Sequence, residues 1–385
     1  MPHPIGPVLA ADESFTHQVT ETFANVGTSD PAWTEKVCAM AMARDGSLQL
    51  GFGLGKYTNR NVMDGYAALS RGAEQLTVRA SRELATAPGG TFAGPIHYEV
   101  VEPLRKVRFR LERNEHQPLA FDWLFEAVLP PSAEERTHLR NDFRVSAELV
   151  RYHQIGVCSG WLELDGARRE ITPETWISTR DHSWGVRYDV GTPPTDTKPR
   201  PAIPPGFGFQ MIWCPLLAER KDGSHYGIFL HYTWIRGPGF AQKMVTAKIE
   251  HPDGREEPIV DLAPELRFDP RNRRLRGGRL VCTMQDGSER PLEIEVLGET
   301  GVQLGAGLYF GLDGHYHGGW RGAAHVEGER IQDCSTPDTA RRLHQIRDTT
   351  VRVHDPVGGG IALGNCQPIV SGPWPELGLG DEGWL

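Results

Sequence analysis

The chain reads TWISTRDHSWGVRYD over residues 175–189. The β-branched and aromatic residues at its start are typical of a strand, in which successive side chains point to opposite faces. We therefore expect Arg180, His182 and Trp184 to share one face and Asp181 to lie on the other. So many chemically active groups in one short segment exceed what folding requires and predict a functional site.

A purely structural role for the same segment is the alternative. An ion pair between Arg180 and Asp181, with Trp184 as an apolar plug, would close the end of a β-barrel without any chemistry. The sequence leaves both interpretations open. A serine hydrolase is disfavoured, because Ser183 lacks the G-x-S-x-G context of such enzymes.

Size and charge restrict the class of protein. The 385 residues exceed the roughly 250–300 at which a single core stops growing, so we expect two domains. With 41 basic and 50 acidic residues, the net charge of −9 favours neither nucleic acid nor an anionic membrane as a partner. Residues 1–20 lack the pattern of a signal peptide, and no stretch approaches the roughly 18 apolar residues of a membrane span. We expect a soluble, cytoplasmic protein.

The six cysteines are far apart in the sequence and include no C-x-x-C pair. This spacing argues against a zinc ribbon or a redox motif and is typical of reduced thiols in a cytoplasmic protein. Three long-range disulfides remain the alternative, since spacing alone does not exclude them.

Short strand-like runs alternate with turn signals along the chain. Runs such as 48–52, 159–164 and 228–234 are rich in β-branched and aromatic residues, and Asp-Gly pairs such as 165–166 suit hairpin turns. A helical pattern is convincing chiefly at Pro131 to Asn141, and no G-x-G-x-x-G opens a helix after a strand. The sequence therefore predicts an all-β fold of antiparallel hairpins.

Six prolines between Gly191 and Pro205 exclude regular structure there and predict a stiff connector. We expect an N-terminal β-barrel at 1–190, the connector at 191–205 and a C-terminal β-barrel at 206–385. No internal period of 20–50 residues indicates a propeller or a solenoid.

Several segments, taken in order, resemble the two-barrel, lipocalin-like superfamily that contains hydroxyneurosporene synthase, also called carotenoid 1,2-hydratase. They are residues 21–31, Tyr152-His153-Gln154, residues 160–166 and residues 180–187. The last of them contains the specific D-H-x-W-G core, and the order of motifs covers most of residues 20–235.

The resemblance implies two calycin-like barrels side by side, and hydration or cyclisation of bulky apolar substrates without a redox cofactor. His182 and Trp184 match the histidine and tryptophan that the hydratases use. The family's aromatic–Asp–aromatic strand should fall near residues 206–213, where this sequence has no aspartate. The missing aspartate argues against simple carotenoid hydration.

Acid/base chemistry at a double bond accounts for the residue types at 180–187. Addition or removal of water needs a proton donor and a base, roles that suit Asp181 and His182. Trp184 offers a π-face to a cation. Arg180 and Arg187 suit a carboxylate, phenolate or enolate better than a carbocation. They favour an anionic transition state and aromatic or carbonyl-conjugated substrates.

A second polar segment extends over residues 309–320. If it is a strand, Asp313, His315 and His317 project from one face at two-residue steps, as in an H-x-H metal site. A cupin-like site also needs a glutamate about four residues on, where the chain has Arg321. We therefore expect no metal and assign substrate binding to this segment. A glycine-rich hairpin end without function is the alternative.

These features predict a cofactor-independent lyase of hydratase or dehydratase type, or a C–C lyase, at the junction of two lipocalin-like antiparallel β-barrels. The expected substrate is a bulky hydrophobic or aromatic compound, and a homodimer is open. The expected catalytic residues are His182, Asp181, Trp184 and Arg187. The expected substrate-binding residues are Arg180, Asp313, His315, His317 and Tyr309. The alternatives are an isomerase or cyclase, and a carrier, whose apolar cavity would lack converging titratable groups.

Overall fold

The computed structural model describes residues 6–198 and 203–380, and most of these residues form strands. In chain order the strands are β1 (Trp33–Ala43), β2 (Gln49–Tyr57), β3 (Val62–Arg71), β4 (Glu74–Glu83), β5 (Phe92–Ala93), β6 (Ile96–Glu102), β7 (Lys106–Leu111), β8 (Leu119–Ala127), β9 (Ser132–Ala133), β10 (Thr137–Asn141), β11 (Arg144–Leu164), β12 (Ala167–Ile171), β13 (Trp176–Val186), β14 (Gly208–Arg220), β15 (His225–Gly237), β16 (Phe240–Glu250), β17 (Glu256–Phe268), β18 (Leu275–Met284), β19 (Glu289–Gln303), β20 (Ala324–Ile331), β21 (Arg347–Asp355) and β22 (Gly360–Ser371). The all-β prediction is confirmed.

Helical structure is limited to short pieces. The helix α1 covers Pro337–Arg342, and 3₁₀ turns cover Ala10–Glu13, Thr58–Arg60, Leu304–Gly307 and Pro375–Leu377.

The prediction of a helix at Pro131 to Asn141 is wrong. This segment contains β9 and β10, and both pair with the 21-residue strand β11. Hydrogen bonds to a long neighbouring strand outweigh a weak local preference for helix.

The first sheet is an open, curved half-barrel. Its hydrogen-bonded order is β20-β4-β3-β2-β1-β13-β11-β8-β7-β6-β5, and β9, β10 and β12 pair with β11. The strand β20 comes from the C-terminal half of the chain and extends this sheet beside β4. Most neighbours in the sheet follow one another in sequence, as hairpins require, and β13 closes the gap between β1 and β11.

The second sheet is a closed barrel of eight strands, β14 to β19 with β21 and β22. Each strand pairs with the next in this order, and β22 returns to pair with β14. The division into domains at 1–190 and 206–385 stays a prediction. Within the described parts of the connector, residues 191–198 and 203–205, there is no helix or strand.

Three layers of apolar side chains hold the sheets together. One fills the concave side of the first sheet around Phe52, Phe109 and Trp123, and a second fills the closed barrel. A third lies between the sheets and includes Met40 and Ile369. Because side chains alternate along a strand, β1 and β13 contribute to both the first and the third layer. This alternation decides which polar residues reach the contact between the sheets.

Two sequence-based expectations concern the whole chain. All six cysteines are free and buried, so the alternative of three disulfides is not observed. Among the described residues, no helix has both the length and the apolar character needed to cross a membrane.

Candidate active site between the two sheets

The strand β13 sends its polar side chains to two different places. Thr179 and Asp181 point between the sheets, and the Thr179 hydroxyl donates to Asn365 Oδ1 of the barrel at 2.5 Å. His182 points to the concave side of the first sheet, where it contacts Tyr152. The predicted alternation is therefore confirmed. Asp181 and His182 consequently cannot act as partners on one substrate atom.

The face of β13 between the sheets borders a small cavity of about 60 Å³. The residues that line it are Lys36, Cys38, Ala39, Met40, Arg151, Thr179, Arg180, Asp181, Arg187, Trp213, Leu304, Tyr309, Asp348 and Gln367. Most of them are polar or charged. A space of this size holds a few waters or a small polar group, but not a bulky apolar molecule.

Strand register explains how the cavity residues meet. In the pairing of β1, β13 and β11, Lys36 lies opposite Ser183, and Ser183 lies opposite Arg151. Two residues further along β1, Cys38 lies opposite Asp181. Side chains directly opposite one another on one face are about 5 Å apart at Cβ, so these residues form two adjacent rows.

Lys36 is a lysine in a buried position, with 3% of its surface exposed. Its Nζ lies 2.9 Å from His317 Nε2 and 4.0 Å from the centre of the Tyr309 ring. Burial and the nearby Arg187 guanidinium lower the pKa of Lys36 to about 7, although Asp64 and other acids oppose the shift. At neutral pH, a large fraction of the molecules therefore carries the free amine.

His317 is the hydrogen-bond partner of the Lys36 amine. Burial and the Lys36 charge lower the pKa of His317 to about 4, so its ring is neutral at pH 7 and accepts a hydrogen bond from the amine. On the other side of the ring, Nδ1 lies 3.7 Å from Asp64 Oδ1. Asp64 is fixed in turn, because its Oδ2 accepts from the Gly318 amide at 2.6 Å.

Asp181 is the acid of β13 that faces the cavity. Burial raises the pKa of its carboxyl, and Arg151, Arg187 and Lys36 counteract part of that shift. Its carboxyl oxygens form no hydrogen bond or ion pair within the part of the chain that the structure describes. A carboxyl group with a raised pKa and no protein partner is suited to give a proton to a ligand.

Two arginines supply positive charge at the same cavity. Arg187 donates to Ser183 Oγ at 2.7 Å and pairs with no carboxylate of the described residues. Arg151 is held by Glu134, whose Oε2 lies 3.0 Å from Arg151 Nε. Arg187 thus retains donors for an anionic group, because the planar guanidinium has five N–H bonds.

Asp348 lies on the barrel side of the cavity. Burial raises the pKa of this carboxyl to about 7, even though Asn365 Nδ2 donates to it at 2.9 Å. Asn365 also accepts from Thr179, so the three residues form a hydrogen-bonded link across the two sheets.

Tyr309 is one of the expected substrate-binding residues that borders the cavity. Its ring lies edge-on to the His317 ring, with 4.8 Å between the centres. Together with Lys36, these two residues form one contiguous cluster. Tyr309 thus lines the same cavity as Asp181 and Arg187.

The expected residues His182 and Trp184 lie away from this cavity. His182 Nδ1 is 3.3 Å from the Tyr152 hydroxyl, and His182 Nε2 is 3.1 Å from Glu35 Oε1. The Trp184 side chain is 38% exposed and lies edge-on to the His182 ring. Arg180 borders the cavity, but its guanidinium donates to Gln154 on the same side as His182.

The expectation of a strand that aligns Asp313, His315 and His317 is wrong. Only His317 is buried, whereas Asp313 and His315 lie in an exposed turn. Asp313 has a positive φ of 50° and pairs with Arg342 at 2.5 Å. Glycines with positive φ at 311, 314 and 318 let the segment turn repeatedly instead of extending. The described residues contain no group of three or more His, Cys, Asp or Glu that could hold a metal ion.

Three residues of the cavity were not predicted from the sequence: Lys36, Arg151 and Asp348. They come from three strands far apart in the chain, so no local motif connects them. A signal for Lys36 was nevertheless present. In β1 it has the same parity as Cys38 and Met40, which places a charged side chain on a face that is otherwise apolar.

The fold and the site define a two-sheet β protein with a charged cavity between its sheets. Comparison with protein families then places the chain. It belongs to a family of unknown function (DUF8625), whose model matches residues 9–375. No curated protein sequence matches it significantly.

Among solved structures, the chain is similar to a protein named as an AttH candidate (NE1406) from Nitrosomonas europaea, with 12% identity, a TM-score of 0.46, and coverage of 88% of this chain and 92% of that one. It is also similar to kievitone hydratase from Nectria haematococca, with 9% identity, a TM-score of 0.40, and coverage of 90% and 93%. For CghA with Sch210972 the identity is 10%, the TM-score 0.44, and the coverage 88% and 87%. At these identities and TM-scores the likenesses carry no conclusion about this chain.

Proposed function

We propose that this chain is an enzyme of the hydratase or dehydratase type, which adds or removes water by acid/base chemistry in the cavity between the sheets. The observation that carries this proposal is that Asp181 and Lys36 face the same cavity. A carboxyl group with a raised pKa and an amine with a lowered pKa face one enclosed space. Opposed shifts of this kind are typical of groups that exchange protons with a substrate near neutral pH.

Each charged group has a distinct role in this proposal. Asp181 gives a proton to the reacting oxygen or carbon, and Lys36 is the second group that exchanges protons. Arg187 holds a carboxylate, phenolate or enolate group of the substrate. Arg151 adds positive charge that stabilises negative charge as it develops. The side chains of this chain suffice for this chemistry, which needs no redox step.

The size and polarity of the cavity indicate the kind of substrate. About 60 Å³ lined mostly by polar groups suits a carbonyl-conjugated acid better than the bulky apolar compound expected from the sequence. A larger substrate would place only its reacting end here. A non-catalytic carrier of an apolar ligand would instead need a mostly apolar cavity.

The proposal is tested with β-hydroxy carbonyl acids and their α,β-unsaturated counterparts. Conjugated products are followed by ultraviolet absorbance, and deuterium incorporation from D₂O by NMR. We expect turnover by the wild type and a loss of about 10²-fold or more in Asp181→Asn. Asp196→Asn, which alters an exposed loop carboxylate, is the matched control. Binding of the panel without turnover or exchange would support a carrier instead.

A further inference from the structure

We propose that Lys36 is a nucleophile, whose amine attacks the carbonyl carbon of the substrate and forms a Schiff base. This inference rests on the proposed function for the location of the site. It narrows the substrate class to small carbonyl compounds that also carry an acidic group.

The position of the amine is the first argument. Lys36 borders the cavity and is otherwise enclosed, and its polar contact is with His317, which has no negative charge to offer. No carboxylate within the described ranges lies at ion-pair distance from Lys36 Nζ. Buried lysines are rare without an acid partner. Here the fold places the amine beside the cavity instead of pairing it with an acid.

The surrounding charge is the second argument. The guanidinium of Arg187 and the burial of the side chain both favour the uncharged amine, and the pKa of Lys36 is about 7. Desolvation and a neighbouring cation are the two conditions that activate lysines for attack on carbonyl groups. Arg187 also attracts a carboxylate on the substrate, which would bring the carbonyl group to Lys36.

The step balances with the groups present. The Nζ lone pair attacks the carbonyl carbon, and the carbonyl π electrons move to oxygen. One N–H proton passes to that oxygen and gives a carbinolamine. Asp181 then protonates the hydroxyl group, which leaves as water while the nitrogen lone pair forms the C=N bond. The products are a protonated imine and one water molecule, and Asp181 is left as a carboxylate.

The imine makes the proposed dehydration easier. Its positive nitrogen withdraws electrons from the imine carbon, so a proton on the α carbon next to the imine carbon becomes more acidic. The Asp181 carboxylate takes this proton and passes it to a hydroxyl group that leaves from the next carbon as water. Hydrolysis of the imine then releases the unsaturated product and restores the Lys36 amine.

The experiment uses glyoxylate, a small aldehyde with a carboxylate, together with sodium cyanoborohydride at pH 7. Reduction of an imine fixes a carboxymethyl group on the reacting lysine, which peptide mass spectrometry locates in the wild-type protein. We expect Lys36 to be labelled at least about ten-fold faster than the exposed Lys221 and Lys243. Labelling of Lys221 and Lys243 with Lys36 unmodified would overturn the proposal.

Two variants separate this inference from the proposed function. Asp181→Asn should slow the labelling of Lys36 without abolishing it, because the amine stays in place while its proton donor is lost. Lys36→Arg should lose the label at this position. If Lys36 is labelled but no substrate is hydrated, the Schiff base stands and the hydratase proposal fails. If hydration occurs but Lys36 is never labelled, the acid/base function stands and the Schiff base is excluded.

Discussion

At the scale of single residues, Lys36 shows how the fold gives up stability to hold a group between its sheets. The side chain is 3% exposed and has no carboxylate partner among the described residues. Its protonated form is therefore poorly solvated, and folding lowers the pKa of the amine to about 7. Such a shift links the stability of the protein to pH.

The first prediction concerns this linkage. Between about pH 7 and pH 10 the unfolded chain keeps the Lys36 proton while the folded chain releases it. The free energy of unfolding of the wild type should therefore rise with pH relative to Lys36→Met, by about 1.4 kcal/mol per pH unit. Below pH 7 both states hold the proton and the difference should be constant. Urea unfolding at several pH values measures this.

Lys221→Met is the control, because Lys221 is exposed. Parallel curves for the wild type and Lys36→Met across this range would show that Lys36 keeps an ordinary pKa. The chemical roles given to its amine would then lose their support.

At the scale of elements, the strand β13 was predictable because alternation is a local rule. The sequence 180–184 sufficed to place His182 and Asp181 on opposite faces. It did not show which face meets the barrel, since that depends on packing between distant segments. The sequence therefore assigned catalysis to both faces, whereas the structure gathers the titratable groups of the cavity on the Asp181 face.

At the polar turn 313–317, by contrast, the local rule of alternating side chains gave a wrong prediction. Its residue types predicted an extended H-x-H strand, but positive φ angles turn the chain instead, at Phe310, Gly311, Asp313 and Gly314. Backbone conformation at glycine is set by the surrounding structure, because glycine has no side chain to restrict it. Position along the chain therefore did not determine which side chains share a face there.

The second prediction concerns Gly185, which follows Trp184 near the end of β13. Its φ is 133°, and a Cβ atom there would lie 2.1 Å from the Glu148 carbonyl oxygen of β11. Gly185→Ala should therefore force the two strands apart and destabilise the protein by more than about 2 kcal/mol. Thermal and urea unfolding measure the loss.

Gly166→Ala is the matched comparison. Gly166 also has a positive φ, of 79°, but a Cβ atom would meet nothing within 4 Å. The free energy of unfolding of Gly166→Ala should therefore fall only by the cost of the unfavourable backbone angle, about 1 kcal/mol. Equal losses in the two variants would show that β13 and β11 are not in close contact at Gly185.

At the scale of the whole molecule, a buried charged cluster joins the two sheets beside the cavity. His153 Nε2 of β11 lies 2.7 Å from Glu250 Oε1 of the barrel. The His153 ring also stacks on the Phe229 ring, with 3.7 Å between the ring centres. Burial opposes the His153 charge, but Glu134 and Glu250 outweigh it and raise the pKa of this histidine. The cluster therefore makes the contact between the sheets sensitive to pH.

The third prediction follows from the direction of that shift. Because the folded pKa of His153 is raised, its stabilising effect is fully present below the unfolded value of about 6.5 and is lost as pH rises through the folded pKa. Relative to His153→Gln, the wild type should lose unfolding free energy from about pH 6.5 upward. His354→Gln, at an exposed histidine, is the control. A difference that does not change with pH would show that folding leaves the pKa of His153 unshifted.

The most direct test asks which face of β13 carries the chemistry. Asp181→Asn and His182→Gln are compared in the D₂O exchange and hydration assay, with both variants checked for an unchanged melting temperature. If the cavity between the sheets is the active site, the activity of Asp181→Asn falls by about 10²-fold or more. This fold-loss should be at least ten times that of His182→Gln. A larger loss in His182→Gln would place the reaction on the concave side of the first sheet and contradict the cavity as the active site.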